Sequence, residues 1–305
     1  MNKLIVSYFQ MCDTERVKEK EIDRDDKNFP EKLKSELVRP IVKKLWYRGK
    51  WNSKLFEKCA AVVGARKMSR YGKQALGEII PKLCGAGYTI VSGLMYGVDQ
   101  EAHKLTLECG GCAIAVLGYG INARMEEEAA RLAGKIVERG GLILSEYSDI
   151  TSARIWTFPQ RNRIVVGISD VIVVAEAGEK SGSLNTASWA RRMNKPVYAI
   201  PGSVFSPTSE GTNWLVAQGL AKALTVTELN TLTHDSNAKT QQKNSLEQME
   251  ERERELITKL KVEGPMGVNE IARKSNLSAG EILGRLLQLE IKGWVVEERG
   301  MWKAV

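Results

Sequence analysis

Cations beside glycines and hydroxyls recur along this chain. Gly64-Ala65-Arg66-Lys67-Met68-Ser69 sets two basic residues between a glycine and a serine, and Lys180-Ser181-Gly182-Ser183 sets a lysine against two hydroxyls. A glycine at a strand end, then cations, then a serine able to cap a helix is the composition of a phosphate cradle. Taken alone, the first of these segments reads equally well as an ordinary exposed basic turn. The second lacks the GxxxxGK[ST] spacing of a nucleoside triphosphate loop, so anion binding is expected there and hydrolysis is not. Phe158-Pro159-Gln160-Arg161-Asn162-Arg163 brackets an asparagine with two arginines just after an aromatic residue. Arginine forks grip phosphates bidentately, and an aromatic face stacks any base. Phe158, Arg161, Asn162 and Arg163 are therefore candidate nucleic-acid contacts, whereas the neighbouring Trp156 is expected in the core.

Two further glycine segments add backbone rather than charge. Ser92-Gly93 opens a stretch in which Asp99 is expected to cap a helix carrying His103, for which a structural hydrogen bond is expected rather than catalysis. Gly118-Tyr119-Gly120-Ile121-Asn122-Ala123 matches a GxGxxA dinucleotide fingerprint. It follows a third strand rather than a first, and the acid after it, Glu146, lies 28 residues on, beyond the usual spacing of about 20. No cofactor is expected. Glu176 ends a strand without a second acid or base nearby, so no catalytic residue is assigned. Cys109-Gly110-Gly111-Cys112 has CxxC spacing, but with no second pair and only two histidines in the chain it reads as a glycine turn flanked by incidental cysteines, and no metal site is expected.

The elements that must hold these segments are legible as short apolar runs: 60–63, 88–91, 113–117, 142–144, 171–174 and 196–200. Unbroken apolar strands alternating with amphipathic stretches predict a doubly wound parallel α/β sheet of about six strands. Ala75, Leu76, Ile79, Ile80 and Leu83 fall at helical spacing, as the first crossover requires. In such a sheet ligands bind beyond the carboxyl ends of the strands, where each basic segment sits.

The polar stretch 230–245 reads as a linker. Beyond it, Leu256, Ile257 and Leu260 line one helix, residues 268–274 form a second, and Ser278 caps a third that carries Ile282, Leu286, Leu287 and Leu289. Two runs, 294–296 and 301–303, then form a hairpin, which completes a winged-helix plan. The expected organisation is 1–55 as an extension packing on the sheet, 56–229 as the Rossmann-like domain, 230–245 as linker and 246–305 as winged helix.

Net charge is +8 over 305 residues, and residues 246–305 hold ten Lys/Arg against eleven Asp/Glu, which leaves +9 on 1–245. The surface attractive to polyanions is thus expected on the large domain. The third C-terminal helix sums to zero and Glu297-Glu298 sits at the hairpin tip, so the winged helix is expected to suit a protein partner or an intramolecular dock rather than DNA. Trp294 and Trp302 are expected in its core. No apolar run is long enough to cross a bilayer and no small-residue cleavage site follows the first residues, so a cytoplasmic location is expected.

In order and spacing these segments resemble the DNA-processing protein A (DprA/Smf) family. The resemblance rests on Gly64-Ala65-Arg66 with Tyr71-Gly72, Ser92-Gly93 through Asp99 to Ala102-His103, Val116 to Gly120, Ser145-Glu146-Tyr147, Phe158 to Ile164, and Glu176-Ala177 through Ser181-Gly182-Ser183-Leu184 to Thr186-Ala187, with Pro201-Gly202 and Gly211-Thr212-Asn213 completing it. It implies an extended Rossmann fold that forms a homodimer, binds single-stranded DNA in a basic pocket, and helps load a RecA-type recombinase in natural transformation. Ala65 stands where the family has serine, Met95-Tyr96 where it has Ala-Arg, and Met125-Glu126 where it has Tyr-Pro, which implies a less basic pocket. The competing expectations are a phosphoribohydrolase-like enzyme, whose Pro-Gly-Gly-x-Gly-Thr signature is missing because Ser203 follows Pro201-Gly202, and a nucleotide sensor.

Overall fold

Seven parallel strands form the centre of the larger unit. A computed structural model describes residues 20–148, 151–233, 255–256, 258–275, 277–291, 295–298 and 300–304. The chain divides into two units, Met1–Thr233 and His234–Val305. Among the described residues the first unit holds β1 (Lys20–Asp23), β2 (Lys44–Arg48), β3 (Cys59–Val63), β4 (Thr89–Ser92), β5 (Ala113–Leu117), β6 (Leu142–Ser145), β7 (Val171–Val174), β8 (Val197–Ala199) and β9 (Lys222–Ala223), in one sheet of order β1-β2-β6-β5-β4-β3-β7-β8-β9. From β6 to β9 every pairing is parallel.

The six expected strands are all present, with ends moved by at most one residue, and the additions are informative. β2 pairs antiparallel with β6, Trp46 opposite Ser145, and β1 pairs antiparallel with β2, Ile22 opposite Leu45. Within β2 only Leu45 is fully buried, so no apolar run marks it in the sequence. The extension thus enlarges the sheet, and Phe29, Leu33, Val38 and Val42 pack beneath it.

The crossovers are α1 (Arg70–Gly85), α2 (Val98–Glu108), α3 (Glu127–Glu138), α4 (Thr157–Ile168), α5 (Gly182–Arg192) and α6 (Glu210–Ala217), followed by α7 (Val226–Thr233). Leu76, Ile80 and Leu83 of α1 pack with Ile90, Val98 and Val173 on one face, and Ile164, Val166 and Ala187 of α4 and α5 pack with Val91, Ile114 and Ile172 on the other. Burying each such large side chain contributes about 1.5–3 kcal/mol relative to exposure. α7 occupies residues 226–233 and buries Leu229, so the expected linker begins inside a helix; residues 234–245 lie outside the described residues. Strand order reverses between β3 and β7, which defines the crevice into which the loops after those strands open.

In the second unit, residues 258–263 are helical, followed by α8 (Val268–Ser275), α9 (Ala279–Ile291) and the hairpin β10 (Val295–Glu298) with β11 (Met301–Ala304). Ser278 Oγ accepts from Glu281 N at 3.3 Å while Glu281 Oε2 accepts from Ser278 N at 3.0 Å, a reciprocal cap. Ile282, Leu286, Leu289 and Trp302 are buried together. Leu287, expected among them, is 46% exposed alongside Leu283, because it falls one residue out of phase with the buried stripe. Trp294 lies outside the described residues.

Candidate nucleic-acid interface

Every expected segment lies on the carboxyl edge of the parallel strands, and its side chains divide into those presented to solvent and those committed to the fold. Arg66, Lys67 and Lys180 are exposed. The Arg66 guanidinium stands 5.7 Å over the ring of Phe158, which is half-buried and meets Tyr119 edge-on at 6.5 Å. A cation over an aromatic face is held by the ring quadrupole, so the two side chains form one presented unit. The glycine at 118 makes room for it, since a Cβ there would stand 2.9 Å from Phe158 Cδ1. Gly120 is buried and its N–H donates to Thr151 O at 2.8 Å. Asn162 Nδ2 donates to Oδ1 of exposed Asn185 at 3.4 Å, which joins the starts of α4 and α5. Gly182 is exposed with open space around it, beside Ser181, whose Oγ caps α5 by accepting from Ser183 N. Ser183 itself is buried and bonded to the Ser181 hydroxyl at 2.6 Å.

Other expected contacts face inward. Arg161 and Arg163 are two residues apart on α4, a rotation of about 200°, so they point to opposite sides of the helix. Arg161 is 4% exposed and its Nη1 donates to Gly93 O at 2.9 Å and to Val116 O, beneath the Gly93 backbone. Arg163 is fully buried; Nε donates to Pro40 O at 2.9 Å, Nη1 to Gln160 O at 3.0 Å, and Nη2 pairs with Glu146. Arg163 is thereby committed to the fold rather than presented to a phosphate as expected, and helix phase alone does not signal this, because Arg161 on the opposite side of α4 is buried as well. Trp156 is corrected in the other direction. It precedes the first turn of α4 and is 54% exposed rather than in the core.

Glu176 determines what the first loop can do. Its carboxylate, 1% exposed, accepts from Ser69 N at 2.8 Å, from the Ser69 hydroxyl, and from Thr208 Oγ1 at 3.1 Å. A Cβ on Gly72 would stand 2.6 Å from the same carboxyl group. The N-terminus of α1 therefore already holds an anion, and Ser69, which also accepts from Gly72 N at 3.1 Å, is a cap rather than an open phosphate donor. The Gly64 position is also structural: a Cβ there would stand 2.6 Å from Val98 Cγ2. Ser92 is buried and donates to Val62 O at 2.6 Å.

Asp99 and His103 lie behind the edge, on α2. The helix begins at Val98 with Gly97 before it, so Asp99 sits inside the first turn and does not cap it; its Oδ2 accepts from Met95 N at 3.4 Å. Burial raises the Asp99 carboxyl, opposed first by Arg161. Burial, then the Arg161 charge, pushes His103 down to about 3. Neither ring nitrogen of His103 meets a hydrogen-bond partner, so the expected structural hydrogen bond is not there. Sequence reasoning missed Tyr119, Asn185 and Thr208 as parts of this edge. Tyr119 lay within the glycine fingerprint and was readable as the neighbour of Phe158; Thr208 carried no local signal.

An open parallel α/β sheet whose carboxyl edge presents cations around an aromatic ring, joined in sequence to a winged-helix domain, defines a Rossmann-like protein of two units. The DNA recombination-mediator protein A family matches residues 20–235, and the DprA winged helix domain matches residues 239–301. The chain belongs to the DprA/Smf family. Protein Smf of Escherichia coli is 35% identical over 250 residues, covering 79% of this chain and 66% of its own, and DNA processing protein DprA of Bacillus subtilis is 35% identical over 198 residues, covering 65% of each. The chain thus spans slightly under two thirds of the length of these relatives. The X-ray structure of DprA from Streptococcus pneumoniae matches with TM-score 0.65 at 33% identity over 76% of this chain and 81% of that one. DNA processing protein A from Helicobacter pylori, whose structure is described by its single-stranded DNA binding mode, matches with TM-score 0.61 at 28% identity over 70% and 95%.

Proposed function

We propose that this chain binds single-stranded DNA along the carboxyl edge of its sheet, protects it, and helps load a RecA-type recombinase during DNA uptake. The observation that carries the reading is the Arg66 and Phe158 unit: an exposed guanidinium suited to a phosphate, fixed 5.7 Å over an aromatic face suited to an unstacked base. Lys67 and Lys180 extend the phosphate track, and the Gly182 backbone lets a strand approach α5 closely. Arg161 and Asn162 act from beneath by holding the Gly93 loop and the α4 to α5 junction. In this reading Ser69, Ser92, Ser183, Asp99, His103, Glu176 and Arg163 shape the edge without touching DNA. Chemistry on the strand is not part of the proposal, because the strand-end carboxylate Glu176 is committed to Ser69 and Thr208.

The protein works in the cytoplasm as a homodimer through its Rossmann-like unit. The winged helix serves a protein partner: Leu283 and Leu287, one turn apart on α9, are 41% and 46% exposed, and Glu297 and Glu298 near the hairpin tip are exposed acids that repel a phosphate backbone. Among the described residues no helix is long and apolar enough to cross a membrane. The test is an equilibrium titration with single- and double-stranded DNA of equal length. Preference for the single strand is expected; equal affinity for blunt duplex overturns the proposal.

A further inference from the structure

Three cysteines lie at the opposite end of the sheet unit, where α1 finishes and the glycine turn leads into β5. Cys84 lies in the last turn of α1, Cys109 is the C-terminal cap of α2, and Cys112 immediately precedes β5. The Cys84 side chain turns towards α2 and that turn. A Cβ built on Gly111 would stand 2.5 Å from the Cys84 sulfur and 3.1 Å from Thr106 Cγ2, so the glycine between Cys109 and Cys112 makes room for the thiol. Cys109 Sγ donates to Thr106 O at 3.3 Å, which draws it back towards the same residue. Thr106 therefore borders the same space beside Gly111 that the Cys84 sulfur fills, and its carbonyl holds the Cys109 thiol. Cys84 is half-buried, while Cys109 and Cys112 are exposed, and all three are free thiols. Cys59 is fully buried in the sheet and bonded to Leu55 O, and Cys12 lies outside the described residues.

We propose that Cys84 and Cys109 are a thiol oxidation site that closes reversibly to a disulfide between the C-terminal ends of α1 and α2, with Cys112 outside the bond. The oxidant class is a low-molecular-weight disulfide. The Cys109 thiolate attacks one sulfur of that molecule, forming a mixed disulfide and expelling one thiolate. Cys84, deprotonated, then attacks the Cys109 sulfur and expels the second thiolate. The two protons lost by the cysteines end on the two leaving thiolates, so one small disulfide becomes two thiols as the protein dithiol becomes a disulfide. Exposure makes Cys109 the sulfur that meets the oxidant. Burial, then the contact with Cys109, pushes the Cys84 thiol up to about 12, so the second, intramolecular step waits on its deprotonation and closure is faster as pH rises. The bond would join helices whose other ends carry the Arg66 and Gly93 loops, on the sheet edge opposite the proposed DNA track.

The experiment uses the reduced full-length chain, exposed to oxidised glutathione, with remaining thiols alkylated and peptides mapped by fragmentation mass spectrometry. The expected product joins Cys84 to Cys109, leaves Cys59 and Cys112 alkylated, and disappears on reduction with dithiothreitol. Cys109→Ser should abolish the crosslink to Cys84, and Cys112→Ser should leave it unchanged. A Cys109–Cys112 bond, a Cys84–Cys112 bond, glutathione retained on Cys109 without internal closure, or persistence of all three thiols overturns the proposal.

Discussion

Arg163 and Glu146 form an ion pair in which the arginine side chain is wholly buried and the glutamate is 17% exposed. The guanidinium also reaches Pro40 O, so it ties α4 to the segment before β2. Removing one partner of a buried pair leaves an uncompensated charge at a cost of about 3–5 kcal/mol. Arg163→Ala should therefore lower the melting temperature markedly while the folded fraction still binds single strands. Calorimetry beside oligonucleotide titration checks this; an unchanged melting temperature with weakened binding would return Arg163 to the interface.

Arg66 is the opposite case. Its side chain is exposed and, among the described residues, stands over the Phe158 ring without an ion pair, so Arg66→Ala should leave stability nearly unchanged. One lost charge-assisted contact is worth about 1.5–3 kcal/mol, roughly ten- to a hundredfold in affinity. The slope of log affinity against log salt should also fall by about 0.7 if one phosphate contact is lost. Binding indistinguishable from wild type contradicts the assignment.

Glu176 is expected to behave as an anchor. Glu176→Gln keeps an acceptor for Ser69 and Thr208, whereas Glu176→Ala strands both donors beside the α1 N-terminus at a cost of about 1–3 kcal/mol. Urea denaturation of the two variants should rank Gln above Ala in stability. Equal stabilities would show that the carboxylate anchors nothing.

His103 makes stability depend on pH. Its folded pKa is depressed to about 3, by burial first and then by Arg161, with Asp99 on the same helix, while the unfolded value stays near 6.5. Below the unfolded value the unfolded chain binds a proton the folded chain refuses, so stability is full above about pH 6.5 and falls by up to about 1.4 kcal/mol per pH unit towards pH 3. Between about pH 7 and pH 5, above the ordinary carboxylate range, His103→Gln should flatten this slope. Matching pH profiles for the two proteins would remove His103 as its source.

The fold was legible where apolar runs were continuous, because strands covered on both faces need them, and 60–63, 113–117 and 171–174 all lie in the central sheet. β1, β2 and β9 were not, since β1 and β9 are short edge strands and β2, between β1 and β6, fully buries only Leu45, so none has such a run. At the candidate site, loop composition located the edge but could not tell which side chains face outward. Arg161 and Arg163 look alike in sequence, and only the phase of α4 and the N-terminal segment at Pro40 separate them from Arg66. Glu176 was legible as a strand-end acid, but the hydroxyl that shares it, Thr208, arrives from 32 residues away.

Arg66 and Phe158 together are expected to take a phosphate and its unstacked base. The most direct measurement compares affinity for a thymidine oligonucleotide and for an abasic strand of equal length and charge, in wild type and in Phe158→Ala. The wild-type chain should bind the abasic strand more weakly by about 1–3 kcal/mol per stacked base, and Phe158→Ala should remove that difference while keeping its salt dependence. Equal wild-type affinity for both strands, or a base preference that survives in Phe158→Ala, contradicts the account.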